Sequence, residues 1–325
     1  MRRPATTNGN TMALALLCPG QGAQYVGMGR DFYESSGVAR GVYDGADKEL
    51  GFHLSALCFH GPEATLNATD VAQVAIFVTS VAIYETLLET GRLPQTPAMT
   101  AGLSLGEYTA LYLAGVLEFR QALRLVRARG RLMQAAAEAA PSTMLALIGA
   151  DEAVALDICR VASEAGVVVP ANFNAPGQIV LSGGVAACTR AAEVAAEKGL
   201  RTAPLKVAGA FHSPFMQSAA DGLEPVLAET NFAPPAIPVL SNVTAQPHTD
   251  AAAIRALLVQ QVVAAVRWYQ CIETLRENGI TEFLEVGPGR ALTGLMKKID
   301  RRAAITNVSS MADANALPAK AAGTV

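Results

Sequence analysis

The sequence has no Cys-x-x-Cys pair; its five cysteines, Cys18, Cys58, Cys159, Cys188 and Cys271, are scattered. That spacing argues against a disulfide framework or a zinc site and fits a reducing compartment. The four histidines show no metal-ligand spacing either. No apolar stretch reads as long enough to span a membrane. Charged residues make up only 16% of the chain and the net charge is −3, which argues against a general nucleic-acid binder. The glycine-rich stretch Pro19-Gly20-Gln21-Gly22 is not followed by Gly-Lys-Ser/Thr, so it is not a P-loop. What is present is 325 residues, 51% of them hydrophobic, enough for a large core in one or two domains.

Arg2 and Arg3 ahead of Met12 to Cys18 loosely mimic a signal peptide or lipoprotein box. The apolar part is very short, however, and Cys18 runs straight into Pro19. Leu14 to Leu17 therefore reads as a buried first strand entering a functional loop, in a cytoplasmic protein. Residues 1–11 are expected to be disordered, with Met12 an alternative start, and the Ala-rich residues 311–325 to form a disordered tail.

The chain is organised around Gly102-Leu103-Ser104-Leu105-Gly106. An apolar run leads in and a helical pattern leads out, the strand-turn-helix context of a nucleophile elbow. Such a turn leaves little room for side chains beside the serine and aims the positive end of the next helix at the reacting centre. The motif alone is weak, because about one chain in ten of this length would contain it by chance at this glycine content. An ordinary turn capped by Ser104 stands beside the nucleophile reading. Pro19 to Gln24 is similarly either an oxyanion or phosphate loop or a plain strand-to-helix turn.

Residues 28–60 show helical spacing broken by Gly37, Gly41, Gly45 and Gly51. Val71 to Thr90 reads as a buried helix and Phe119 to Ala139 as a second long one bearing Arg129. From Met144 to Leu205 the pattern is β-α-β-β-α-β, the ferredoxin-like unit. His212 stands just before a helix start at Ser213-Pro214, where a lone histidine is more often structural. Val239-Leu240 reads as a short strand, and His248 as an unremarkable residue of the polar loop 245–250. Alternating strands and helices imply a mostly parallel sheet covered on both faces.

These segments together resemble the malonyl-CoA:acyl carrier protein transacylase family from about Leu14 to Ser309. The resemblance rests on Pro19-Gly-Gln-Gly-Ala-Gln24, Gly102-Leu-Ser-Leu-Gly-Glu107, Arg129-Gly-Arg-Leu-Met-Gln134, Gly209-Ala-Phe-His212, Gln261 before Val266-Arg-Trp268, and Glu285-Val-Gly-Pro-Gly289. It implies an α/β-hydrolase-like large domain with a parallel sheet, residues 12–140 and 207–310, and an inserted ferredoxin-like small subdomain, residues 141–206. It also implies transfer of malonyl from malonyl-CoA to the phosphopantetheine thiol of acyl carrier protein, by way of a malonyl-serine.

Residue by residue, Ser104 resembles the family nucleophile and His212 its general base. Gln261 matches the main-chain carbonyl that orients the imidazole, and the N–H groups of Gln21 and Leu105 match the oxyanion hole. Arg129 matches the guanidinium that grips the malonyl carboxylate. Phe211 resembles the malonyl-selective pocket. Leu103 departs from the pattern, since the family usually has histidine there, and it borders the acyl pocket. The resemblance implies no cofactor, because coenzyme A is substrate, and no metal; the chain is expected to be a monomer. An acidic carrier protein would suit a basic patch, for which Lys297, Lys298, Arg301 and Arg302 are candidates. The rival readings are a polyketide synthase acyltransferase acting in trans, an acyl-thioester hydrolase on the same fold, and a silent carrier-binding subunit.

Overall fold

Leu14 to Cys18 carries no polar residue because both faces of this strand are covered. The computed structural model describes residues 13–319. The disorder expected over residues 1–11, the choice between Met1 and Met12, and residues 320–325 lie outside the described residues.

Strand β1 (Ala13–Cys18) is followed by helices α1 (Arg30–Ser35), α2 (Gly37–Leu50), α3 (Leu54–His60), α4 (Glu63–Leu66) and α5 (Thr69–Glu89). Strand β2 (Met99–Gly102) leads into α6 (Leu105–Leu113), and α7 (Phe119–Ala139) follows. Then come β3 (Ser142–Ile148), α8 (Glu152–Ala162), β4 (Val168–Ala175), β5 (Gln178–Gly184), α9 (Val185–Glu197) and β6 (Arg201–Pro204). The chain ends with α10 (Gln217–Glu229), α11 (Ala251–Val263), α12 (Trp268–Glu277), β7 (Ile280–Val286), α13 (Ala291–Ile299), β8 (Ala304–Val308) and α14 (Met311–Ala316).

One sheet has the order β2-β1-β7-β8 with every pairing parallel. The other has the order β4-β5-β3-β6 with every pairing antiparallel, the strand arrangement of a ferredoxin-like unit. Alternation along β3 and β5 explains how the second sheet sits. Leu145, Leu147, Ile179 and Leu181 pack under α8 and α9, while Met144 and Val180 join the core of the larger unit. The fold is the α/β-hydrolase-like domain with an antiparallel insert that the sequence leads one to expect. Its use for function follows from register. Cys18 pairs with Gly102, so the loops after β1 and β2 emerge side by side at the carboxyl edge of the parallel sheet.

Four local expectations are corrected. Gly41 and Gly45 lie inside α2 rather than breaking it. Ala39, Tyr43, Ala46 and Leu50 give that helix a continuous buried stripe, and the Ser36 hydroxyl caps its start. α5 is long and apolar enough to cross a membrane by length and composition, at a mean hydropathy of 1.7. It is nonetheless buried nearly all round, between α2 and α7. Val239 and Leu240 make only isolated bridges, Val239 extending the parallel sheet beside Thr100.

The tail beyond residue 310 begins as a helix, not as disorder. The Ser310 hydroxyl accepts from Asp313 N–H while the Asp313 carboxylate accepts from Ser310 N–H, a capping box. Met311 N–H then donates to Asp31 Oδ2 at 2.6 Å, and Arg92 Nη1 donates to the carbonyls of Asn315 and Leu317 at 2.9 and 2.7 Å. These bonds fasten a composition that would otherwise fray.

Candidate active site

A Cβ on Gly102 would fall inside the backbone of Gly106, and one on Gly106 inside the Cys18 carbonyl. Both glycines are therefore demanded by the closeness of β2, α6 and the end of β1. Ser104 sits between them at φ 53°, ψ −105°, a left-handed conformation that a side-chain-bearing residue rarely adopts. Asn242 holds it there: its Oδ1 accepts from Ser104 N–H at 2.6 Å, and its Nδ2 donates to the Gly102 carbonyl at 2.7 Å.

His212 is the second strained residue, at φ 56°, and it is buried. The small sheet fastens its turn. Ser142 Oγ on β3 accepts from Ala210 N–H at 3.0 Å, and Ser182 Oγ on β5 donates to the Phe211 carbonyl at 2.6 Å. The ring then spans two partners, with Nδ1 2.7 Å from the Gln261 carbonyl and Nε2 2.8 Å from Ser104 Oγ. A carbonyl oxygen only accepts, so Nδ1 carries the proton and Nε2 offers a lone pair to the serine hydroxyl. Burial, and next the Arg129 charge, push the His212 pKa down to about 4. The imidazole is thus neutral at pH 7.

Arg129 on α7 is 1% exposed. Its Nη1 donates to Gln73 Oε1 at 2.6 Å, and its Nη2 donates to both Ser104 Oγ and Gln261 Oε1 at 3.0 Å. The guanidinium carbon lies 5.2 Å from the centre of the Tyr108 ring. Burial pushes its pKa down, yet guanidinium stays charged in proteins. Among the described residues no carboxylate lies within ion-pair distance of it. A buried cation held only by amides, a hydroxyl and a ring is arranged to receive an anion.

These groups face a cavity of about 660 Å³, also lined by Gln21, Leu103, Leu105 and Phe211. The N–H groups of Gln21 and Leu105 donate to no acceptor among the described residues, and Leu105 opens α6, whose positive end faces the serine. Lys297, Lys298, Arg301 and Arg302 are exposed and stand away from the cavity. The first two lie in the last turn of α13, whose first turns line it, and Lys298 Nζ donates to Gln178 Oε1 at 2.6 Å.

Sequence reasoning missed the polar groups behind the site. His248, read as an unremarkable loop residue, is buried, with its Nε2 2.8 Å from Glu107 Oε1. Glu107, Asn242 and Gln73 are buried as well. Lys206, which lines the cavity, also went unnoticed. The one available signal was Glu107 directly after the elbow motif, the single charged residue of a helix whose other residues are uncharged.

Residues 15–319 match the family model described as an acyl transferase domain. The chain belongs to this acyl transferase family. Among its relatives, the malonyl CoA-acyl carrier protein transacylase of Bacillus subtilis is 43% identical over 291 residues, 89% of this chain and 91% of that protein. The Escherichia coli K12 protein of the same name is 41% identical over 286 residues, 88% of this chain and 92% of its own length. A solved malonyl-CoA:acyl carrier protein transacylase from Xanthomonas oryzae superposes with a TM-score of 0.90 at 42% identity, covering 94% of this chain and 98% of that one. A further neighbour is a type II polyketide acyl-carrier protein in complex with its malonyl-transacylase. Its TM-score is 0.90 at 39% identity, covering 94% of this chain and 99% of the other.

Proposed function

We propose that this chain is a malonyl-CoA:acyl carrier protein transacylase, a serine acyltransferase that supplies malonyl groups for fatty acid elongation. The observation that carries the reading is the double engagement of one hydroxyl. Ser104 Oγ lies 2.8 Å from a neutral imidazole nitrogen and 3.0 Å from a buried guanidinium. The first can take its proton, and the second can hold an anionic acyl group beside it.

The steps follow from that geometry. The malonyl carboxylate settles on Arg129. Ser104 Oγ attacks the thioester carbon as His212 Nε2 accepts the hydroxyl proton. The resulting oxyanion rests on the N–H groups of Gln21 and Leu105, where losing one such donor costs about 100- to 1000-fold in rate. The tetrahedral species collapses, the carbon–sulfur bond breaks, and His212 gives its proton to the departing coenzyme A sulfur. The carrier's phosphopantetheine thiol then enters. His212 takes its proton, the sulfur attacks the ester carbon, the bond from that carbon to Ser104 Oγ breaks, and His212 returns the proton to the released serine oxygen. Throughout, the Gln261 carbonyl keeps the imidazole in one tautomer, where other hydrolases use a carboxylate. Leu103 and Phe211 border the acyl group. Coenzyme A enters as substrate in this reading, and the enzyme is assigned to the cytoplasm as a monomer that uses no cofactor.

Intact-protein mass spectrometry after mixing with malonyl-CoA, with acetyl-CoA as comparison, tests the reading. The expected result is a malonyl adduct that survives in water, is absent with acetyl-CoA, and is discharged by holo acyl carrier protein. An adduct that decays without the carrier would mean a hydrolase. No adduct would mean a silent carrier-binding subunit. Discharge onto a polyketide carrier in preference to a fatty acid carrier would move the enzyme to the other pathway.

The His212 environment also predicts a pH profile. Because kcat/KM reports the free enzyme, it should hold level at neutral pH and fall as pH drops through about 4. A bound malonyl carboxylate offsets the Arg129 charge, so the limb in kcat should lie at higher pH than the limb in kcat/KM. A kcat/KM limb near the ordinary histidine value would contradict the burial of this ring.

The basic cluster Lys297, Lys298, Arg301 and Arg302 is assigned to carrier docking. It is exposed, and it sits at the far end of the helix whose start lines the cavity. Reversing charge at Lys297 and Lys298 should raise the KM for carrier protein with kcat for malonyl-serine formation unchanged. An unaltered carrier KM at low salt would remove the assignment.

A further inference from the structure

Glu107 is fully buried and its carboxylate accepts three hydrogen bonds. Asn242 N–H and Gln261 Nε2 reach Oε2 at 2.9 and 2.7 Å, and His248 Nε2 reaches Oε1 at 2.8 Å. Two of these donors lead straight into the site. Asn242 Oδ1 accepts from Ser104 N–H at 2.6 Å. Gln261 Nε2 also donates to the Ser104 carbonyl at 3.0 Å, and its Oε1 accepts from Arg129 Nη2 at 3.0 Å.

The polarity of the Gln261 amide is therefore dictated. A guanidinium only donates, so the amide oxygen must face Arg129 and the NH2 is left to face Glu107. The reversed amide would set NH2 against guanidinium and an amide oxygen against carboxylate. The amide also stands between a buried anion and a buried cation, which make no direct ion pair among the described residues. A direct pair would fill the clamp, and an incoming substrate carboxylate would have to displace it.

We propose that Glu107 is a positioning residue that keeps Arg129 free as an anion clamp. It sets the Gln261 amide and the main chain of Ser104, while His248 and Asn242 tether its carboxylate away from the guanidinium. The inference rests on the malonyl-transfer reading and explains how that site selects an anionic acyl group.

The test uses wild type, Glu107→Gln and His248→Gln, each normalised to folded protein by circular dichroism. Glu107→Gln still presents an oxygen to Asn242 and Gln261, and His248 can change tautomer to face the new NH2, so the fold has a satisfied alternative. Two quantities are read. One is the rate at which a fluorophosphonate labels Ser104, together with the malonate concentration that protects against it. The other is the ratio of malonyl to acetyl adduct formed from the two coenzyme A thioesters.

In Glu107→Gln the protecting malonate concentration should rise, and the malonyl-to-acetyl ratio fall, by about 10-fold or more, the scale of an ångström-level misplacement. His248→Gln should move both the same way by less. Wild-type protection and ratio in both variants would make Glu107 merely structural and overturn the inference. So would a loss of labelling with protection and ratio unchanged. Should wild type be labelled by the probe yet take no malonyl group, the transfer reading fails. The malonate protection series then still decides the clamp on its own. If Glu107→Gln does not fold, His248→Gln decides by the same readings.

Discussion

Ser104→Ala is expected to abolish the acyl adduct and to lower malonyl transfer by about a million-fold, the scale seen when a hydrolase nucleophile is removed. The fold should survive. What holds residue 104 at φ 53° is its main-chain N–H on Asn242 and the packing of two glycines, and alanine keeps both. His212→Ala should lose nearly as much, because without Nε2 the hydroxyl retains its proton at neutral pH. It should also destabilise modestly, since the buried Gln261 carbonyl loses its donor, at a cost of about 1–3 kcal/mol. The double variant should be little worse than either single one, because the two act as a unit. Adduct formation by intact mass and single-turnover transfer measure all three. Near-wild-type transfer by Ser104→Ala would require another nucleophile and defeat the mechanism.

How far the site could be read from sequence depends on the distance over which each contact closes. Gly102, Ser104 and Gly106 are neighbours in the chain, and the turn that needs them is local, so the motif speaks for itself. Arg129 and His212 are single residues with no local pattern to betray burial. Only their place among several ordered motifs pointed to them. His248 shows where such reading stops. It sits in a polar loop between Ala245 and Asp250, and nothing nearby distinguishes it from a solvent-facing histidine. Its partner Glu107 is 141 residues earlier, joined to it only when α6 and the loop after Leu240 pack together. Asn242 and Gln73 are hidden for the same reason.

The tail was legible in part. Ser310 and Asp313 have the spacing of a capping box, but the alanines that follow bury little and masked the signal. Gly41 and Gly45 misled in the opposite direction. Glycine weakens a helix by about 1 kcal/mol relative to alanine, and a stripe holding Tyr43 and Leu50 outweighs that. The arrangement of the small sheet, by contrast, was available from element order alone, since a β-α-β-β-α-β run has few other ways to fold.

Arg129→Ala should separate binding of the acyl group from chemistry. With the guanidinium gone, the malonyl carboxylate would enter a buried site without a partner, a penalty of about 3–5 kcal/mol. At about 1.4 kcal/mol per decade that is roughly 100- to 1000-fold or more in kcat/KM for malonyl-CoA. Acetyl-CoA brings no charge, so its slow reaction should hold or rise, and the preference between the two should collapse. Arg129→Lys should recover only part, because an ammonium offers a point charge where the carboxylate meets two parallel donors.

The same substitution should move the pH profile. The Arg129 charge is one of the forces holding His212 down, second to burial. Without it the imidazole pKa should climb toward the ordinary histidine value, and the acid limb of kcat/KM for acetyl-CoA should move to higher pH with it. A limb that stays where it was would mean that burial alone sets the base. An unchanged malonyl preference would mean that the carboxylate is held elsewhere. The pair of measurements thus tests Arg129 twice, once through the substrate it holds and once through the histidine it faces.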